Sequence, residues 1–166
     1  MKAPYPQLSP DSLPLVQRLY QRSRSFFELI SGKEAAPNAA ERLFVGRPAE
    51  LSIEQKHVLG VFEDDTLVGV FDILMGYPNP DVGFIGLFLL DPDYRRRGLG
   101  SDAYRAVEQW FKSLGLCEVQ LGVQLNNKAG RLFWESHGFV YLKDVPLRDD
   151  DDLNGNVLLF SKALQA

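Results

Sequence analysis

The stretch "DYRRRGLGSDAY", Asp93 to Tyr104, places three arginines ahead of two glycines that are one residue apart. Beyond them the pattern turns helical, with Ala103, Val107, Trp110 and Leu114 at helical spacing and Gly115 as a stop. A helix start carries unpaired N–H groups and the positive end of the dipole, so it suits a phosphate. Gly98 and Gly100 let the backbone come close to an anion. Arg95, Arg96 and Arg97 add charge and forked donors, Ser101 adds a hydroxyl, and Leu99 lies between the glycines. The competing reading is a glycine turn with solvated arginines.

Two families of phosphate loop fit less well. A Walker loop needs Gly-Lys-Ser/Thr after four spacer residues, and the chain has none. Gly98-x-Gly100-x-x-Ala103, with Glu118 further on, matches a dinucleotide fingerprint literally. That fingerprint follows its strand directly, however. Here "DPDYRRR" intervenes, and too little chain follows to complete a doubly wound sheet.

The elements that must hold this loop are legible. "SLPLVQRLYQRSRSFF" reads as one helix with Leu15, Val16, Leu19 and Tyr20 on one face, and "PNAAERLF" as a second, opened by Pro37. "KHVLGVFED" and "TLVGVFDILMG" read as a hairpin turning at Asp64 and Asp65. "VGFIGLFLL" is apolar throughout, as in a strand covered on both faces. "CEVQLGVQ" is a strand, "KAGRLFWESHG" a short helix stopped by Gly138, and "FVYLKDV" and "NVLLFSKAL" are closing strands. The expected order is ααββββ-α-β-α-ββ. A strand–helix–strand crossover around the glycines implies one parallel pair in an otherwise antiparallel, mixed sheet.

Length and composition set bounds. The 166 residues suit one domain, and 45% hydrophobic content supports a core. A net charge of −4 argues against broad nucleic-acid binding. No apolar run has membrane-spanning length, and "MKAPYPQLSP" lacks a signal-peptide layout. The lone Cys117, read as a packed residue, excludes an internal disulfide and suits a cytoplasmic setting. His57 and His137 have no companions at metal spacing, so no metal is expected, and His137 is placed to favour a helix dipole. "RDDDD", from Arg148, reads as a solvated loop, with attraction of a cationic amine as its alternative role.

The loop with its lead-in "LFLLDPDYRRRG" resembles motif A of the GNAT acetyltransferase superfamily, Arg95-x-x-Gly98-x-Gly100 here. "LGVQLNNKAGRLFWESHGF" is similar to its motif B, with Asn127 at the Asn position and Gly130 where Ala is usual. The resemblance implies an α/β fold, a single-domain, mixed, mostly antiparallel and V-splayed sheet flanked by helices. It implies acetyl-coenzyme A as donor, with pyrophosphate on residues 95–101 and the pantetheine arm between the strands "GLFLL" and "EVQLGVQ". Backbone groups of Phe88, Leu89 and Leu90 would contact that arm, with the Leu89 amide on the thioester carbonyl. Asn127, Gly130 and Trp134 would line the cofactor side.

Two departures from the family pattern follow. Trp134 stands where many members place a Tyr that protonates the sulfur, and an indole is no general acid at neutral pH. The strand before the loop has no titratable residue to serve as a base. Asp72 is then the candidate base, acting through a water, unless it is a salt-bridged strand residue. Phe27, Glu28 and Tyr77 are candidates for the acceptor site, although Ser25-x-x-Glu28 also reads as a capping box. The activity implied is acetyl transfer to a primary amine of a small molecule or peptide. The alternative is a catalytically weak acyl-coenzyme A sensor. Dimers are common in the family, so the resemblance allows a homodimer.

Overall fold

The computed structural model describes residues 2–146 and 156–165. The aspartate run from Asp149 to Asp152 lies outside the described residues. Helices α1 (Leu13–Arg22), α2 (Arg24–Ser31) and α3 (Ala39–Val45) come first. Strands β1 (Lys56–Glu63), β2 (Thr66–Met75) and β3 (Val82–Leu90) follow. Then come α4 (Leu99–Ser113), β4 (Glu118–Gln124), α5 (Lys128–Ser136), β5 (Val140–Pro146) and β6 (Asn156–Ala163).

The N-terminal region thus holds three helices rather than the two expected. The single helix expected through Phe27 breaks at Ser23, whose N–H closes the last turn of α1 onto Leu19 and Tyr20. Ser25 therefore lies inside α2 and forms no capping box, and Glu28 pairs instead with Arg24 at 2.6 Å. Three strands rather than four precede α4, although residues 6–8 also bond to β1 through Leu8 N–H to Val58 O and Gly60 N–H to Pro6 O.

The sheet runs β1-β2-β3-β4-β6-β5, and β3–β4 is the one parallel pair. The β1–β2 hairpin turns at Asp64, which takes a left-handed φ of 52°. One sheet face packs Leu59, Phe71, Ile85, Leu121 and Phe160 against Tyr104, Val107 and Phe111 of α4 and Trp134 of α5. Leu114, expected on that face, is exposed at the helix end. The other face packs Val58, Leu67, Val70 and Leu89 under Val16 and Leu19 of α1 and Leu43 and Phe44 of α3. These helices cover the β1–β3 end only.

Two irregularities coincide in β3. Its parallel register with β4 covers Val82 to Ile85 against Glu118 to Leu121 and then stops. At the next residue the β2–β3 register jumps from Ile73↔Ile85 to Asp72↔Leu87, which leaves Gly86 as a bulge. Beyond it β3 stays with β2 as far as Leu90, while β4 stays with β6 as far as Gln124. The two strands separate into a V. The coverage expected for this apolar strand therefore fails where the V opens: Gly86 is exposed and Phe88 half-buried.

Candidate functional site

The anion loop is built from the end of β3. Asp91 is buried at 2% exposure and uses both carboxylate oxygens. One accepts from Arg22 Nε at 2.6 Å and the other from the Asp93 N–H at 3.0 Å, which fixes the turn Pro92–Tyr94. Gly98, at φ 78°, caps α4. The first helical bond of α4 runs from Asp102 N–H to Gly98 O, so the amides of Leu99, Gly100 and Ser101 have no acceptor within the helix. A Cβ on Gly98 would meet nothing within 4 Å, so a side chain there would project into open space. A Cβ on Gly100 would meet the Phe133 ring at 3.5 Å and Leu90 at 3.6 Å, ordinary contacts with an apolar back wall.

The three arginines are exposed but differ in role. Arg95 Nε donates to Leu90 O at 3.1 Å, Arg97 lies over the Tyr94 ring at 5.3 Å, and Arg96 takes a left-handed φ of 64°. Gly98→Val should strain the backbone at the start of α4 by about 1–2 kcal/mol. Calorimetric titration with coenzyme A should then show affinity lowered at least about tenfold, the effect of losing one charge-assisted hydrogen bond. Gly100→Ala should be much milder.

The open edge of β3 follows from strand alternation. Asp91 N–H bonds to Val68 O, so Asp91 faces β2, and Leu89, two residues back, does the same. Leu89 O accordingly lies 3.2 Å from the Cβ position of Gly69 on β2. Phe88 and Leu90 turn their backbone groups the other way, where β4 has diverged, and Arg95 already holds the Leu90 carbonyl. The Leu89 amide is thus spent inside the sheet, and the expectation that it contacts a thioester is corrected. The Phe88 amide and carbonyl and the Leu90 amide face the V.

Across the V, Asn127 Oδ1 accepts from Gly130 N–H at 3.0 Å and caps α5. A Cβ on Gly130 would fall 2.4 Å from Asn127 Nδ2, so glycine at this position lets the Asn side chain fold back. Gly130 thus acts through Asn127. Trp134 is a core residue at 8% exposure, edge-on to Tyr104 at 5.2 Å and tilted to Phe88 at 6.1 Å. His137 follows α5, but its ring turns to Ser101, with Nε2 3.0 Å from Ser101 Oγ. Burial, then Arg105 and Lys162, lower its pKa, whereas a helix dipole alone would raise it.

On the face that α1–α3 leave open lies a cavity of about 800 Å3. Its lining includes Phe27, Asp72, Tyr77, Phe84, Gly86 and Gln120. Asp72 and Tyr77 therefore reach the same cleft, with Tyr77 edge-on to Phe84 at 5.4 Å. Phe27 packs tilted against Tyr20, ring centroids 4.8 Å apart, and lines the cleft from α2. Glu28 is exposed, held by Arg24, and is not among the residues lining the cleft.

Asp72 Oδ1 accepts from Lys56 Nζ at 2.8 Å, and Lys56, with a side chain 2% exposed, also donates to Gly46 O at 2.6 Å. Burial raises the Asp72 pKa, with Lys56 pulling partly against it. Oδ2 lies against the bulge, 3.0 Å from where a Gly86 Cβ would sit. Asp72 is thus salt-bridged, as one of its two sequence readings had it, and it also lines the cleft.

Lys56 and Gly86 were missed in the sequence. The alternation of β1 gives no sign of a buried lysine, whereas a glycine inside a strand is a bulge signal. Cys117 is exposed, one residue ahead of β4, where packing had been expected. Among the described residues no group of three or more metal-ligating side chains comes together, and no helix is long and apolar enough to cross a membrane.

The model of the acetyltransferase (GNAT) family matches residues 16–139, well over half the chain. No curated protein matches. Among solved structures, an acetyltransferase from Thermus thermophilus superposes with a TM-score of 0.75 at 22% identity, covering 99% of this chain and 100% of that one. The PaiA N-acetyltransferase from Thermoplasma acidophilum, in complex with coenzyme A, gives a TM-score of 0.66 at 20% identity over 98% and 99% of the two chains. An aminoglycoside 6'-N-acetyltransferase complexed with coenzyme A gives 0.67 at 12% identity over 97% of each chain. An open helix start beside a splayed parallel pair fits the phosphates and pantetheine of that cofactor. The chain belongs to the GNAT family of N-acetyltransferases, whose cofactor is acetyl-coenzyme A.

Proposed function

We propose that the chain acetylates a primary amine, borne by a small molecule or peptide, by direct attack of the amine on the thioester. The observation that carries this reading is the Asp72 carboxylate, which lines the cleft beside the V with one oxygen held by Lys56 and the other next to Gly86. Acetyl-coenzyme A supplies the acyl group: a C–N bond forms, a C–S bond breaks, and the amine gives up a proton. Asp72 takes that proton, directly or through one water. The Phe88 amide, at the open strand edge, donates to the thioester carbonyl. Asn127 and the start of α5 border the pantetheine arm, and the Leu99, Gly100 and Ser101 amides with Arg96 hold the pyrophosphate. Trp134 is buried among rings and donates no proton, so the thiolate is protonated by solvent.

Gly86 keeps Asp72 Oδ2 clear. Gly86→Ala would press a methyl on that oxygen at 3.0 Å and should lower kcat by tenfold to about a hundredfold, with coenzyme A affinity kept. Steady-state kinetics beside a binding titration would check it.

The tryptophan at the usual tyrosine position favours a second reading, a catalytically weak acyl-coenzyme A sensor. Thiol release from acetyl-coenzyme A, measured over a panel of primary amines, separates the two. Amine-dependent release supports transfer. Binding without release for any amine supports the sensor.

A further inference from the structure

The proposed chemistry leaves the Ser101–His137 contact unused. Ser101 lies in the first turn of α4, half-buried, its amide without a helical acceptor. His137 Nε2 reaches its hydroxyl at 3.0 Å from the far end of α5. Two rings flank the imidazole. The Tyr104 ring centroid lies 5.0 Å from it and that of Phe133 4.8 Å, and Phe133 also backs Gly100. One ring therefore braces the phosphate loop from behind.

The direction of this hydrogen bond decides what the loop offers an anion. If Ser101 donates to Nε2, only oxygen lone pairs remain for a phosphate, which repels them. If Nε2–H donates to Ser101 Oγ, the serine proton is free to point at the phosphate. A protonated imidazole permits the second arrangement alone, and it adds a positive charge one residue behind the anion.

We propose that His137 is a positioning residue for the cofactor pyrophosphate, donating from Nε2 to Ser101 so that the hydroxyl faces the phosphate, and that protonation of the ring strengthens cofactor binding. The charged groups around it are Arg105 and Glu108 of α4 and Lys162 of β6. Lys162 is itself paired with Glu108 at 2.9 Å, and Arg105 with Asp102 at 3.3 Å. Burial and the two cations hold the imidazole pKa below its ordinary value, with Glu108 pulling the other way, so there is a proton for the bound pyrophosphate to draw in.

The test is a titration with 3'-dephospho-coenzyme A, whose pyrophosphate stays ionised and which lacks the phosphate monoester that would itself titrate. The wild type should bind more tightly at pH 5.5 than at pH 8, by up to roughly three- to tenfold, the limiting ratio for an upward shift of half to one pKa unit. His137→Gln keeps a side-chain donor but cannot titrate, so its affinity should be flat across that range. Ser101→Ala, which removes the hydroxyl, should lower affinity and shrink the slope. A flat wild type, or a slope that survives in the folded Gln variant, would overturn the proposal. The inference rests on the pyrophosphate lying at the start of α4. If that placement is wrong, Gly98→Val leaves affinity unchanged. If only the present inference is wrong, Gly98→Val still weakens binding while the slope ignores His137.

Discussion

Asp72→Asn should lower kcat/KM by about a hundredfold to ten-thousandfold, the range expected when a positioned proton acceptor is removed. The amide keeps an oxygen for Lys56 Nζ, now 2.8 Å from Oδ1, so the strand geometry and coenzyme A affinity should hold. The pH dependence carries a second signature. A carboxyl must be ionised to accept a proton, and burial raises the Asp72 pKa against the pull of Lys56. The acid limb of kcat/KM in the wild type should therefore rise through a pH above the ordinary carboxylate value, and Asp72→Asn should lose that limb. Initial rates with a responsive amine from pH 5 to 9 would show both effects. Unaltered turnover in Asp72→Asn would reduce Asp72 to a salt-bridge residue.

Asp91→Ala should be the most destabilising change around the loop. The carboxylate is buried and binds both Arg22 and the Asp93 amide, so its loss leaves a partly buried guanidinium with Leu67 O as its remaining partner among the described residues. Breaking a fully buried pair costs about 3–5 kcal/mol, and the 36% exposure of the Arg22 side chain reduces this to about 2–4 kcal/mol. For a chain of this size that is a fall of roughly 5–15 °C in Tm. Coenzyme A should recover part of it, because ligand binding favours the ordered loop. Thermal unfolding with and without coenzyme A measures both. Arg22 joins α1 to this loop, so the N-terminal helices help to set the proposed cofactor loop as well as wall the cleft.

What could be read in the sequence was what local pattern encodes. The hairpin at Asp64, the crossover through α4 and the glycine-capped loop show as spacing, turn residues or caps, and the Asn127 start of α5 through the resemblance to motif B. What could not be read depends on contacts remote in sequence. Lys56 meets Asp72 across a hairpin, and Arg22 meets Asp91 across 69 positions. The break at Ser23 interrupts no apolar period, so nothing marked it. The assignment of Leu89 failed for a different reason. Which strand residues face an open edge depends on a one-residue parity, and that parity is set by the pairing with β2. A glycine in an apolar strand is a bulge signal, but the bulge at Gly86 went unread. Its coincidence with the end of the β3–β4 register was not visible.

Direct transfer to an amine is the central claim, and mass spectrometry of both protein and amine after incubation with acetyl-coenzyme A tests it most directly. A primary amine that stimulates thiol release should carry the acetyl group. The protein, incubated with acetyl-coenzyme A alone, should gain none. An acetylated protein that passes its acetyl group to the amine, or no acetylated amine from any acceptor that the protein binds, would contradict it.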